Sequence, residues 1–433
     1  MGLRQLLLVV PAAAAMVAAY ALLGPGARRD IDGARVYAAP AEDGSITSGR
    51  VTVARASTTG EAPLAGVVTL TLDGQETRVA VSADGVGEFV LPAPSTLGST
   101  ASIRSDAGRT LAIGPIARAH VAEDANDHAL ELGEWGSSTG DLVIAPHLER
   151  GTLVPTFSSD VVVELRDRAG QPVEGRLDVE VVGAECPACG KPIEHASSAR
   201  LSLTPSLDVV SITMDARAPD GRKGHAYAEI PAQMGGLFLG ASTPEELIVS
   251  APTQRRYAYA SLFRAGHRIG GASSPLTEDE YGRFSATLLV DAPGADLAVL
   301  TTDAEEGGGS TVWALRPAAT KRRLTAPRLV NLLDGFPQLK AVEARRVGWV
   351  YRILFLTVGA LALLEIVLLG VVARSTRKEL TTHFEEARED EDIVLRPAPP
   401  IEPARSSALV IVTVGLVVVV ASAAMVGLAF VRG

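Results

Sequence analysis

One apolar stretch constrains this chain more than any other feature of its sequence. From Val347 to Ala373, the 27 residues include only two charged side chains, Arg352 and Glu365. As an α-helix this stretch would be ~40 Å long at about 1.5 Å per residue, and the core of a bilayer is roughly 30 Å thick. A second apolar run at 408–431 contains no ionisable residue. We therefore predict two transmembrane helices, at 347–373 and 408–431.

The amino-terminal residues indicate export. Residues 1–24 combine Arg4 with an apolar run from Leu6 to Leu23, which is typical of a signal peptide or of an N-terminal membrane anchor. No clear cleavage site follows the run, so both interpretations stay open. We expect the large segment between this run and residue 347 to lie outside the cytoplasm, attached to the cell membrane.

Charge and motifs exclude several classes of function. The formal net charge is −10, and the longest Lys/Arg run is Lys321–Arg323, so we expect no nucleic-acid partner. The chain has no His-Glu-x-x-His, Walker A or dinucleotide-binding motif. The nucleophile-elbow pattern around Ser138 is followed by strand-forming residues where that motif requires a helix. We therefore predict no cofactor and no enzymatic activity.

Between Val36 and Pro317 the sequence favours short β-strands. Val68–Leu72 and Val79–Val81 alternate apolar and polar residues on both sides of Asp73-Gly74, which predicts a hairpin with one buried face. Many such strands, separated by Gly, Pro, Asp and Ser and lacking helical periodicity, predict β-sandwiches. The predicted fold class is mainly β, with tandem Ig-like β-sandwiches in an ectodomain plus transmembrane α-helices.

Repeated turn signatures predict the number of sandwiches. Gly60–Gly66 and Gly170–Gly175 share a Gly/Pro turn, and their prolines are 109 residues apart, about the length of one Ig-type sandwich. Asp84–Phe89 and Asp279–Phe284 share the turn Asp-x-x-Gly-x-Phe. We predict three sandwiches, at 36–118, 140–234 and 236–318. Residues 119–139 are predicted to form a linker between the first two.

These turns also carry a resemblance. The pattern Asp-x-x-Gly-x-Pro-Val-x-Gly at Asp167–Gly175, together with the Asp-x-x-Gly-x-Phe turns, resembles bacterial Ig-like β-sandwich modules of the macroglobulin-like and carboxypeptidase-regulatory-like kinds. The resemblance covers about two thirds of the chain. It implies a fold and an extracytoplasmic setting, and it implies no catalytic residues, because the thioester motif of true macroglobulins is missing.

Two further segments flank the first predicted span. In the juxtamembrane segment 324–346, residues such as Leu329 and Leu332 recur at helical spacing, and Pro337 limits the predicted helix to a short or kinked one. Residues 374–405 begin basic, turn acidic and end rich in proline. We predict that they form a cytoplasmic acidic and Pro-rich loop.

The two cysteines, Cys186 and Cys189, form one Cys-Pro-Ala-Cys unit with three interpretations. A disulfide would pin the loop, and an oxidising compartment favours it. A zinc site would need two further ligands, for which His195 is the local candidate. A redox pair would normally open a helix, and no helical pattern follows here. We predict a possible disulfide, with metal binding as the alternative.

Glu365 requires an explanation, because it lies near the middle of the first predicted span. A charge at that depth costs ~2.5–3.5 kcal/mol on insertion scales. Glu365 is therefore protonated and hydrogen-bonded, in contact with a protein partner, or part of a path for protons or ions, and we take it as a candidate intramembrane partner contact. The sequence predicts a non-enzymatic, membrane-anchored binding or structural protein of a bacterial cell envelope. The alternative is a signalling or assembly subunit whose spans contact a partner.

Overall fold

The structure is a computed structural model, and it describes residues 30–41, 44–57, 59–96, 98–116, 128–131, 135–243, 245–280, 282–306, 309–316 and 323–389. Several side chains between 350 and 389 also lie outside the described part. Within these residues the chain is mainly β, with 28 strands and one long helix, α1 (Phe336–Glu389). Two compact units divide the chain: one spans Ile31–Leu339 and holds all of these strands, and the other contains α1 from Lys340 onward.

The first sandwich consists of two antiparallel sheets. One sheet contains β1 (Ile31–Ala38), β2 (Ser45–Ser57), β3 (Gly60–Pro63), β6 (Val86–Thr96) and β28 (Val330–Asp334). The other contains β4 (Gly66–Leu72), β5 (Gln75–Val81), β7 (Thr100–Ser105) and β8 (Thr110–Pro115). Because side chains alternate along a strand, each sheet turns one apolar face inward. Val36 and Val51 of one sheet share a fully buried core with Leu70 and Ile103 of the other.

The hairpin predicted in this sandwich is confirmed. Strands β4 and β5 pair in register from Gly66 opposite Val81 to Leu72 opposite Gln75. Asp73 and Gly74 form the turn with φ values of 51° and 76°. A two-residue hairpin turn of type I′ requires positive φ at both central residues, and Asp-Gly adopts this conformation readily.

The second sandwich lies between Ser137 and Pro231. One sheet contains β10 (Ser137–Gly140), β13 (Gly175–Val182), β15 (Ile193–Ala196), β17 (Val209–Arg217) and β18 (Lys223–Pro231). The other contains β11 (Leu142–Leu148), β12 (Ser159–Asp167), β14 (Ala184–Glu185) and β16 (Ser198–Pro205). Its core combines Val163 and Leu201 with Ile212 and Ala228 from the opposite sheet.

The third sandwich lies between Phe238 and Ala314. One sheet contains β19 (Phe238–Ser242), β20 (Glu246–Ala251), β23 (Thr277–Glu278) and β24 (Phe284–Leu289). The other contains β21 (Tyr257–Arg264), β22 (His267–Pro275), β25 (Leu297–Thr301) and β26 (Thr311–Ala314). Leu247 and Leu288 meet Leu300 in its core.

Strand β28 returns the chain to the first sandwich, so the first part of the segment 324–346, for which a short or kinked helix was predicted, is β-strand. This segment contains most of β27 (Arg323–Ala326) and all of β28. Strand β27 pairs with β9 (His128–Glu131), which lies inside the predicted linker 119–139. Strand β28 pairs with β1. The ladder between β1 and β28 skips Leu332, so the consecutive Leu332 and Leu333 are both buried. Such a bulge breaks the strand period of two, and the resulting leucine spacing imitates a helix.

Helix α1 begins at Phe336, two residues after β28. The Asp334 carboxylate accepts the backbone N–H of Phe336 at 2.9 Å, which satisfies one of the donors left free at a helix start. Pro337 lies in the first turn, where its missing N–H removes no intrahelical hydrogen bond. Of the two predicted effects of Pro337, a short or a kinked helix, the short helix is wrong, because α1 extends for 54 residues.

Helix α1 covers the predicted span 347–373 and the first part of the predicted loop 374–405, which is helical as far as Glu389. Counting only the described residues, no helix is both long enough and apolar enough to cross a membrane. Many side chains within 347–373 lie outside the described part, as do the predicted segments 1–24 and 408–431. The membrane spans and the export segment therefore stay predictions.

Candidate functional site

The loop with the two cysteines follows β14 in the second sandwich. The sulfur atoms of Cys186 and Cys189 are bonded as a disulfide, and their Cα atoms are 5.3 Å apart, within the usual range. Both side chains are half-buried and pack against the core of the second sandwich. The loop continues through a turn into β15, so it does not open the helix whose N-terminus acidifies the thiol of a typical redox pair.

The zinc alternative needs ligands that the described residues do not assemble. His195 lies in β15, and no group of three or more His, Cys, Asp or Glu side chains in the described ranges is placed to hold a metal ion. A tetrahedral zinc site needs four ligands. The geometry around the loop therefore favours the disulfide over zinc.

The other residues selected from the sequence have separate positions. Ser138 lies in β10, where its Oγ accepts the backbone N–H of Ile144 at 3.0 Å and contacts the carbonyl oxygen of Leu142 at 3.4 Å. Ser138 therefore fastens the turn from β10 to β11, and no strand–turn–helix elbow surrounds it. Glu365 belongs to α1, but its side chain lies outside the described part.

Sequence reasoning missed a cluster of buried polar side chains between the first and third sandwiches. Strand β22 of the third sandwich lies against β2 and β6 of the first. We call this cluster the ionic junction, and it contains Ser48, Arg50, Glu88, His128, Ser261, Arg268 and Glu306, all buried except Glu88, whose side chain is 19% exposed. Charged side chains are almost never fully buried unless they are paired, so each one here needs a partner.

Glu88 is the centre of the ionic junction, because its two carboxylate oxygens bind two different guanidinium groups. One oxygen accepts Nε of Arg50 at 2.7 Å, and the other accepts Nη2 of Arg268 at 2.6 Å. Both arginine side chains are completely buried. Burial alone would raise the pKa of Glu88, but the charges of Arg268 and Arg50 hold it below its ordinary value.

Each arginine of the ionic junction reaches into the opposite sandwich. Arg50 of the first sandwich donates to the carbonyl oxygen of Ala304 at 2.8 Å and to that of Ala260 at 3.3 Å. Arg268 of the third sandwich lies 3.4 Å from the Ser48 hydroxyl, and its own carbonyl oxygen accepts that hydroxyl at 2.8 Å. This reciprocal bonding holds strands from both sandwiches in one hydrogen-bonded network.

Glu306 extends the ionic junction to the connecting strands. One of its oxygens lies 3.2 Å from Nε2 of His128 in β9 and accepts the backbone N–H of Leu329, just before β28, at 3.2 Å. The other oxygen accepts the Ser261 hydroxyl. Burial alone would raise the pKa of Glu306, but the hydrogen bond with His128 and the charge of Arg50 lower it to about 2.

A second group of contacts joins the edge of the ionic junction to the start of α1. The Tyr37 hydroxyl donates to Glu305 at 2.5 Å, and burial together with this bond raises the pKa of Tyr37. The Arg35 guanidinium binds the Asp334 carboxylate at 3.3 Å and lies 4.6 Å from the ring centre of Phe336. The residues that begin α1 are therefore anchored on the first sandwich beside the ionic junction.

This arrangement is suited to fastening domains and not to acid–base chemistry. All four carboxylate oxygens of Glu88 and Glu306 already accept hydrogen bonds from protein donors, or contact His128, inside a buried network. A general acid or base must instead reach a substrate. One sequence signal could have indicated the site. Arg50 directly follows Gly49 in β2, and Arg268 lies three residues before Gly271 in β22. A Cβ at Gly271 would lie 2.4 Å from Nη2 of Arg268.

Comparisons with known proteins give no family. No protein-family model and no curated protein matches the chain. Among solved structures, the chain is similar to the Yersinia pseudotuberculosis adhesin InvE at 13% identity and a TM-score of 0.17, over 51% of this chain and 64% of that one. Invasin, a bacterial integrin-binding protein, is matched at 14% identity and a TM-score of 0.17, over 66% and 60%.

A third similar structure is the D00–D0 domain of intimin, at 10% identity and a TM-score of 0.16, over 44% of this chain and 99% of that one. The chain spans less than two thirds of the adhesin InvE and of invasin. Similarity at this level carries no argument about function. The β-sandwich architecture rests on the paired strands and the three cores described above.

Proposed function

We propose that this chain is a membrane-anchored, non-enzymatic binding or structural protein of a bacterial cell envelope, with three Ig-like sandwiches outside the cytoplasm. The observation that carries the proposal is the path of the chain: it passes through all three sandwiches, returns to the first in β28, and enters α1 two residues later. The ectodomain is thereby attached to the helix through its first sandwich.

The ionic junction supports a structural or presenting role. It binds the third sandwich to the first through completely buried arginines, and its Glu306 also contacts His128 of β9 and the backbone of Leu329 just before β28. A binding surface carried by such an ectodomain keeps a fixed orientation, and a preorganised surface loses less free energy on binding than a flexible one.

Exposed apolar side chains on α1 support the anchor. Trp349, Leu356 and Leu363 are 64%, 70% and 65% exposed. Large apolar side chains that are this exposed are unfavourable in water and mark a membrane or protein contact. Lipid contact would remove these side chains from water, and a helix satisfies its own backbone hydrogen bonds inside a bilayer.

A signalling or assembly subunit is the second candidate function, and the continuity of α1 favours it. One helix extends from the residue after Gly335 through Glu365 to Glu389. The helix that follows β28 then connects the first sandwich covalently to the predicted cytoplasmic side. In this version Glu365 contacts a partner within the membrane.

Membrane fractionation of cells expressing the full chain tests the anchor. We expect the protein to remain in the pellet after an alkaline carbonate wash and to be released only by detergent, because apolar helices resist extraction from lipid. The variant Glu365→Gln should remain in the same pellet, since the substitution removes only the charge. Release of the wild-type chain by carbonate would contradict membrane anchoring.

The same variant separates the two candidate functions. Loss of a stoichiometric membrane partner from the detergent-solubilised complex on Glu365→Gln would favour the signalling or assembly subunit. An unchanged complex, or an equally isolated chain in both preparations, would favour the binding or structural protein.

A further inference from the structure

One face of α1 changes along its length from cationic to apolar. Arg345 and Arg352 are seven residues apart, so on a helix with about 3.6 residues per turn they lie on one face, about 10 Å apart along the axis. Trp349 lies between them, within about 60° of both around the axis. Leu356 and Leu363 follow Trp349 at intervals of seven residues and continue the same side of the helix. We call this set of residues the cationic–apolar face.

The arginines of the cationic–apolar face are exposed, and among the described residues neither guanidinium pairs with a carboxylate. Nε of Arg345 lies 3.4 Å from the carbonyl oxygen of Ala341 in its own helix. The carboxylate nearest in sequence, Glu343, lies on the opposite side of α1, where it accepts Nε of Arg346 at 2.7 Å. The cationic–apolar face therefore carries two positive charges that no described carboxylate neutralises.

The position of Arg352 requires an anion in the anchored state. Arg352 lies five residues into the predicted span 347–373, about 7.5 Å along the helix axis. Arginines near the ends of a span extend their guanidinium groups to the headgroup level and pair there. Trp349 is 64% exposed, and tryptophan is enriched at the same level of a bilayer. In the anchored state this turn of α1 therefore lies at the depth of the lipid phosphates.

The chemistry of the cationic–apolar face matches both ends of a phospholipid. Guanidinium groups bind phosphate through paired hydrogen bonds. Leu356 and Leu363 are 70% and 65% exposed, and Leu363 lies about 16 Å beyond Arg352 along the axis. That length is close to half of a hydrocarbon core about 30 Å thick, which is the depth that one acyl chain spans. Inorganic phosphate would use only the arginines, and an uncharged lipid would use only the apolar side chains.

We infer that the cationic–apolar face of α1 binds an anionic phospholipid. The lipid phosphate lies between Arg345 and Arg352, and an acyl chain follows Trp349, Leu356 and Leu363. The two positive charges favour a lipid of net negative charge over a zwitterionic one, whose headgroup cation would face the guanidinium groups. The inference names the lipid partner of the proposed membrane anchor, and it rests on that anchor.

The test uses the full chain in nanodiscs of phosphatidylcholine, with brominated phosphatidylglycerol and brominated phosphatidylcholine of identical acyl chains as the probes. Bromine on an acyl chain quenches an indole that it contacts. Trp349 reports this contact, because Trp135 and Trp313 belong to the other compact unit, which holds the sandwiches. We expect phosphatidylglycerol to quench Trp349 at a mole fraction about tenfold lower than phosphatidylcholine, or lower still, since two arginines contribute.

Arg345→Gln and Arg352→Gln should each reduce the preference for phosphatidylglycerol about fivefold, because each removes one charge that meets the headgroup anion. The matched control replaces Arg346 and its partner Glu343 together by Gln. It removes a neighbouring arginine whose charge is already balanced, so the preference should change less than about twofold. Far-UV circular dichroism should be the same for all of these proteins, which excludes unfolding of α1 as the cause.

Equal quenching by the two lipids, an unchanged preference in either arginine variant, or an equal loss in the control would overturn the inference. An excess of inorganic phosphate at constant ionic strength should leave the quenching unchanged. Release of the lipid by phosphate would assign the arginines to free anions and would equally overturn it. If the preference is missing while the chain stays in carbonate-washed membranes, the proposed anchor stands and only the lipid site fails.

Discussion

Glu88→Gln is expected to lower the free energy of unfolding of the ectodomain by about 3–5 kcal/mol, which is the cost of breaking a buried ion pair by removing one partner. The amide has nearly the same shape as the carboxylate, so no cavity forms. Its charge is absent, however, so the completely buried guanidinium groups of Arg50 and Arg268 lose the carboxylate that binds both of them. The loss should be measured by urea denaturation, with tryptophan fluorescence and circular dichroism as signals.

The matched control for Glu88→Gln is Asp178→Asn. Asp178 also pairs with an arginine, Arg176 at 3.2 Å, but both side chains are about half exposed. Exposed pairs contribute little, because water already solvates both charges. We therefore expect an unchanged denaturation midpoint for Asp178→Asn. Equal midpoints for Glu88→Gln and the wild-type protein would show that the ionic junction does not hold the sandwiches together.

Acid should destabilise the ectodomain through Glu306. The ordinary pKa of a glutamate is 4.5, and in the folded protein the pKa of Glu306 is about 2. A carboxylate whose folded pKa is lowered contributes stability that is fully present above the unfolded pKa and is lost as the pH falls through the folded pKa. The contribution should therefore be complete above about pH 4.5 and lost towards pH 2. Its size is roughly 3 kcal/mol at 1.36 kcal/mol per pKa unit.

The comparison that isolates Glu306 is Glu306→Gln. This variant should be less stable than the wild-type protein at pH 6, and its stability should fall less steeply between pH 4.5 and 2. Glu88 retains a lowered pKa in this variant and keeps part of the slope. The measurement is the free energy of unfolding in urea at half-unit steps of pH. Parallel curves for the two proteins would refute the role assigned to Glu306.

The sandwich architecture could be predicted because its signals are local. The aspartates of the repeated turns act within a few residues: Asp84 accepts the N–H of Val86 at 3.1 Å, and Asp279 accepts that of Arg283 at 2.8 Å. Turn chemistry of this kind depends on neighbouring residues alone. Period-two alternation is equally local, and it identified the hairpin at Asp73, whose strands β4 and β5 pair as an antiparallel ladder.

The return of the chain to the first sandwich could not be predicted for a physical reason. Strand β28 pairs with β1 about 300 residues away, as in the bond between Arg35 and Asp334 with a separation of 299. Nothing in the local sequence specifies such a partner. The bulge at Leu332 in addition removes the alternation that would have identified a strand.

The ionic junction shares this limitation. Glu88 and Arg268 are 180 residues apart, and each looks like an ordinary surface charge in its own strand. Sites formed between domains can be predicted only from the tertiary arrangement, whereas the Cys-Pro-Ala-Cys loop is complete within four residues and can be recognised in the sequence.

The placement of the three sandwiches outside the cytoplasm is the central claim, and the redox state of Cys186 and Cys189 in living cells tests it most directly. Cells expressing the full chain are quenched in acid, free thiols are alkylated, and disulfides are then reduced and labelled with a maleimide of measurable mass. Disulfides persist in oxidising compartments and are rare in the cytosol. The placement predicts that both cysteines escape the first alkylation and that both take the label after reduction. Alkylation of both cysteines in the first step would contradict it.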